Sequence, residues 1–122
     1  MKILVLIFAL TCVVACKKDS GDMQKPIIVI NTPTPNQQFA AFSSVTISGT
    51  VADENLIHQV HVEVINKNNS TAVLHVVENV GAKSYNINQV FTVQSGITYR
   101  IHIEAQDQVG NVEAVEMEVK GI

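Results

Sequence analysis

Residues 97–119 read ITYRIHIEAQDQVGNVEAVEMEV, and this stretch decides the fold. In its first part Ile97, Tyr99, Ile101, Ile103 and Ala105 alternate with Thr98, Arg100, His102, Glu104 and Gln106. In its last part Val115, Met117 and Val119 alternate with Glu116, Glu118 and Lys120. A period of two sends the apolar set to one face of a strand and the polar set to the other. Between the runs, Asp107, Gly110 and Asn111 supply turn chemistry. The stretch is a β-hairpin with one dry face, and that face needs a second layer of sheet to cover it.

Working back from the hairpin, the same alternation recurs. Pro26 opens a short strand, IIVI at 27–30. A proline is tolerated there because its missing N–H need not join the ladder. The NTPTPN of 31–36 breaks that strand, since two prolines force extended or turn geometry. Strand 44–51 places Val45, Ile47 and Val51 on one face together with Gly49, which implies a bulge or a close approach to the facing sheet. Residues 52–55, ADEN, read as a loop. Strand 57–65 sends Val60, Val62 and Val64 one way and His61, Glu63 and Ile65 the other. A turn at 66–70, NKNNS, leads to strand 71–78, apolar on both faces, so its pattern leaves the register open. Gly81 ends it, and Tyr85, Ile87, Phe91 and Val93 form a sixth run before the QSG of 94–96. Strands spaced by roughly ten to fifteen residues, with no helical period, predict an all-β protein. The expected fold is a seven-stranded immunoglobulin-like β-sandwich over 26–122.

Composition agrees. A chain of 122 residues makes one domain rather than two. A domain of about 100 residues buries roughly 65% of its unfolded surface, so its core can stand without metal or disulfide. With 47% apolar, 16% charged and 5% aromatic residues and no tryptophan, that core is aliphatic, chiefly Val and Ile. The formal charge is −3, and loss of Lys2 with a leader takes it to −4. Such a chain lacks the basic stripe that nucleic acid requires, so no nucleic-acid partner is expected. Both cysteines, Cys12 and Cys16, precede the domain, which is held by packing and backbone pairing alone.

The N-terminal segment carries its own signal. Lys2 precedes an apolar run over 3–14, too short for a membrane span of about 20 residues. A positive start, a short apolar run and small residues at its end describe a secretory signal at 1–15. Its end, Val13, Val14, Ala15 and Cys16, resembles the lipobox of bacterial lipoproteins. That resemblance implies a diacylglyceryl thioether on Cys16, cleavage before it and acylation of its new amine. Each buried methylene contributes about 0.8 kcal/mol, so two or three acyl chains on one residue hold the protein to a membrane. Residues 16–25 then form a polar tether. The KKDSGD of 17–22 resembles the export signal that sends Bacteroidota-type lipoproteins to the outer face of the outer membrane. A generic solvated linker is the alternative.

The domain carries a second resemblance. The AxDxxGN pattern at 105–111 and SGTVAD at 48–53 are similar to segments of bacterial Ig-like domains of the fibronectin and cadherin variety. With the lipobox, the whole arrangement resembles the small Ig-like lipoproteins of Bacteroidota. The resemblance implies a non-catalytic binding or structural module at the cell envelope, anchored to the outer membrane.

Two groups could carry chemistry. Asp53, Glu54 and Asp107, with Asn55 or Asn111, lie where two strand–loop–strand units share one end of the sandwich. Converging carboxylates there suit Ca²⁺, which takes about six to eight oxygen ligands. The competing reading is that each Asp accepts backbone N–H groups of its own turn. His61 and His102 fall on the outward faces of neighbouring strands, with His58 and His75 near by, and clustered imidazoles suit Zn²⁺ or Cu²⁺. There the competing reading is solvent-facing histidines on a sheet. A metal-binding envelope protein is thus the rival to the binding module. No serine elbow, zinc-protease motif or phosphate loop occurs, and the two tyrosines face the core, so no enzyme is expected. The acids and Lys120 of the last strand charge an edge against pairing with another chain. A protein or glycan partner is expected at the end away from the tether, formed by 33–42, 66–70 and 94–96.

Overall fold

The structure, a computed structural model, describes residues 24–122. The leader at 1–15, the lipidation site Cys16 and the tether up to residue 23 lie outside the described residues. Six strands follow: β1 (Ile27–Thr32), β2 (Gln38–Phe39), β3 (Ser44–Asn66), β4 (Thr71–Thr92), β5 (Thr98–Asp107) and β6 (Val112–Gly121). The described residues contain no helix.

Two long strands build both layers. Residues 44–52 of β3 pair with residues 84–92 of β4 on one side, and the last five of them, 48–52, pair with β1 on the other. Residues 57–66 of β3 pair with the earlier part of β4 and with β5. β5 pairs with β6 from Thr98 opposite Lys120 to Gln106 opposite Val112, which is the expected hairpin. β2 runs parallel to the end of β6, Gln38 opposite Lys120 and Phe39 opposite Gly121. The order β1-β3-β5-β6-β2, with β4 against β3, is one sheet curled so that its halves face each other.

The expected seven separate strands are therefore corrected to six. The runs 44–51 and 57–65 are parts of one strand, as are 71–78 and 85–92, and β2 was not foreseen. Residues 52–55 are a corner, not a loop. Pairing shifts register between Ala52 and Ile57 and again between Ile57 and Gln59. Extra residues of this kind bend a strand sharply without ending it, which lets one strand pass from layer to layer. They also change the inward parity: Val45, Ile47 and Val51 before the corner are buried, and Val60, Val62 and Val64 after it. Gly81 turns the matching corner of β4 at φ 66°.

Aliphatic side chains from both halves form one core, and every member of it lies between positions 28 and 119. Among the described residues one close aromatic pair lies in it, Phe91 with Tyr99, ring centroids 5.4 Å apart and tilted by 59°. Gly49 lies opposite Ile30 of β1. A Cβ there would run into the Val29 carbonyl oxygen, so the close approach is to the neighbouring strand rather than to the facing layer.

Candidate functional site

The end at which the chain enters the domain is built from the β3 corner and the β5–β6 turn. Ile57 lies opposite Asp107, and the Gln108 N–H donates to the Leu56 carbonyl at 2.9 Å. Asp107 ends β5 and is 1% exposed. Its Oδ1 accepts from the Val109 N–H at 3.0 Å and the Asn111 N–H at 2.8 Å. Its Oδ2 accepts from Asn111 Nδ2 at 2.8 Å. Burial pushes the carboxyl up, but the Asn111 side chain and the N–H groups of Asn111, Val109 and Gly110 outweigh it and hold Asp107 below the ordinary carboxylate range. Asn111 Nδ2 also donates to the Gln24 carbonyl at 3.2 Å, tying the incoming chain to this turn.

Asp53 plays a related local part. Its Oδ1 accepts from the Asn55 N–H at 2.7 Å, the pattern of an Asx turn. Glu54 is exposed. Asp53 and Glu54 line a recess of about 350 Å³ with Gln24, Lys25 and Lys83, where lysines already supply the opposite charge. Asp107 lines a different recess with His58, Gln106 and Gln108. The sequence placed Asp53 and Asp107 at one end of the domain, and the structure does so too. It turns each onto its own backbone.

The histidines occupy the outer face of the other half. Strand register sets a row across β4, β3, β5 and β6: His75, Glu63, His102, Glu116. His61 lies opposite Glu104, one row away. His61 and His102 are thus diagonal neighbours, each directly facing a glutamate. His102 Nδ1 lies 2.9 Å from Glu116 Oε1, and its Nε2 lies 3.6 Å from Glu104 Oε2. His61 Nε2 lies 3.2 Å from Gln59 Oε1. Among the described residues no group of three or more His, Cys, Asp and Glu side chains is placed to hold a metal ion.

Sequence reading missed one buried polar feature. The Tyr99 hydroxyl accepts from the Gln94 backbone N–H at 2.9 Å. This pins the crossing from β4 to β5 by the arrangement called a tyrosine corner in immunoglobulin-like folds. A tyrosine among aliphatic inward positions near the start of β5 was the available signal.

No family model matches this sequence, and no curated protein matches it. Solved structures do. Superoxide reductase (neelaredoxin) from Ignicoccus hospitalis is similar with a TM-score of 0.55 at 8% identity, covering 81% of each chain. A variant of that protein gives 0.56 at 9% identity, over 80% of each chain. A fibronectin(III)-like module of CbhA from Clostridium thermocellum gives 0.50 at 19% identity, over 78% of this chain and 94% of that one. At such identities the likeness is one of fold: the described residues have an all-β, fibronectin-like fold.

Proposed function

We propose that this chain is a lipid-anchored envelope protein whose immunoglobulin-like domain is a non-catalytic binding or structural module. The observation that carries the reading is polarity along the domain. The chain enters at the end formed by the β3 corner and the β5–β6 turn, where Asn111 holds the Gln24 carbonyl. The opposite end gathers the loop between β1 and β3, the turn after Asn66 and the segment before Ile97. With Cys16 only eight positions before Gln24, an anchored domain turns that opposite end away from the bilayer. That end also holds Phe42, 79% exposed.

The leader pattern and the KKDSGD segment support outer-membrane delivery and display at the outer face. The test is fractionation of cells making the wild type and Cys16→Ser. The wild type is expected with the membranes and the variant in the soluble fraction. Retention of the variant in the membrane refutes the anchor. Titration of residues 24–122 with Ca²⁺ and Zn²⁺ separates this reading from the metal-binding one, which predicts binding heat and a higher melting temperature.

A further inference from the structure

Charge is segregated in this domain. No Asp, Glu, Lys, Arg or His occurs in 26–52 or in 84–99. In the fold these two segments supply β1, β2, the first part of β3 and the last part of β4. The three-stranded half made by β1, β3 and β4 therefore carries no charged side chain on its paired residues. Residues 24–122 hold 9 acidic and 5 basic side chains, a net −4, all of it outside that half. Two copies that approach by the charged half bring together surfaces of net negative charge, and by this half they do not.

The edges of the sheet differ in the same way. β6 carries Glu113, Glu116, Glu118 and Lys120, the usual protection of an edge. β1 is six residues long and its register slips between Ile30 and Thr32. β4 has β3 as its only partner strand among the described residues. Its pairing with β3 runs without a slip from Ser84 opposite Ala52 to Thr92 opposite Ser44. The far side of that segment is a straight, uncharged row of backbone donors and acceptors. Val90 on it is 52% exposed.

We propose that residues 84–92 of β4 pair antiparallel with the same segment of a second copy, joining two three-stranded halves into one six-stranded sheet. Side-chain parity restricts the register. An odd offset would set the inner face of one copy beside the outer face of the other. The register centred on Asn88 keeps the faces matched. It places Ser84 opposite Thr92, Asn86 opposite Val90 and Asn88 opposite its counterpart on the outer face. On the inner face it sets Tyr85 opposite Phe91, so the two cores meet across the two-fold axis. The paired edge is about 30 Å long at ~3.4 Å per residue. A contact of this size falls short of the roughly 800 Å² per partner of a stable dimer, so association is weak and concentration-dependent. It needs no anchor, and so it stands or falls apart from the function proposed above.

Cysteine trapping tests it on residues 24–122, which hold the core cluster described above and no cysteine. Directly opposed residues of antiparallel strands have Cα atoms about 4.5–5.5 Å apart, within disulfide range. Asn88→Cys is expected to oxidise to a covalent dimer. Ser84→Cys and Thr92→Cys are expected to cross-link with each other when mixed but not each with itself. Asn69→Cys, in the turn after β3, is expected to stay monomeric. Asn88→Lys, which sets two cations face to face, is expected to abolish the concentration-dependent rise in sedimenting mass shown by the wild type. The proposal is overturned if Asn88→Cys forms disulfide no faster than Asn69→Cys, or if the 84 and 92 variants cross-link as readily with themselves as with each other.

Discussion

Replacing Tyr99 by Phe tests what holds the two layers in their relative places. The ring is 1% exposed and packs on Phe91, and phenylalanine keeps that packing. Only the hydroxyl goes, and with it the acceptor for the Gln94 N–H. Leaving a donor unpaired in a partly buried place costs about 1–3 kcal/mol. A domain of 60–100 residues loses about 4–8 °C of melting temperature per kcal/mol, so a fall of roughly 4–24 °C is expected. Thermal melts by circular dichroism measure it, and a urea titration with an unchanged slope shows that the midpoint moved through stability alone. Hydrogen exchange gives the local readout: the Gln94 amide is expected to lose more protection than global destabilisation explains. The opposite outcome is a real alternative, because deleting a buried hydroxyl that makes no useful bond is neutral or favourable. An unchanged or raised melting temperature, with the Gln94 amide still protected, would refute the corner.

Asp107 predicts a pH dependence of definite sign. Its carboxyl is held below the ordinary range in the folded chain, so its contribution is fully present above the unfolded value of about 3.9 and is lost as pH falls through the folded value. Urea midpoints for the wild type and Asp107→Asn are expected to converge as pH drops below about 4; a gap that stays constant into acid contradicts this. Gly49→Ala drives a methyl group into the Val29 carbonyl oxygen and sets it 3.1 Å from Ile30 Cα. Overpacking of that kind costs about 1–3 kcal/mol, and β1 amides are expected to lose exchange protection first. By contrast Gly81→Ala meets nothing within 4 Å and is strained only through its φ of 66°, a cost of about 1–2 kcal/mol.

Much of this fold was legible because each alternating run has one buried face. The hairpin of β5 and β6, the inward valines of β3 and the outward histidines follow from parity alone. What parity could not show is continuity. Residues 52–55 have the composition of a loop, and composition does not distinguish a loop from a bulged corner whose backbone stays paired. β2 spans two residues, too few for any period. Strand 71–78 was ambiguous for a physical reason: at the margin of its layer, Leu74 and Val76 turn inward while Val73 and Val77 remain 44% exposed. The site residues divide in the same way. Sequence put Asp53 and Asp107 at one end and His61 and His102 on adjacent strands. The register lies beyond pattern reading, and it set a glutamate opposite each histidine and the two aspartates in separate recesses.

Phe42 separates what folding requires from what it does not. Its backbone is fully used: its N–H donates to the Val93 carbonyl at 2.8 Å, and the Ser43 N–H closes the turn onto Ala40 at 3.1 Å. That turn demands a φ of 64° at Phe42, a region suited to glycine or asparagine and costly for a bulky side chain. The ring itself stands in water. Glycine would satisfy the backbone at less strain and expose less apolar surface. Neither core packing nor turn geometry therefore accounts for an aromatic side chain at this position. It sits at the end opposite the chain's entry, the end that an anchor at Cys16 would hold furthest from the bilayer.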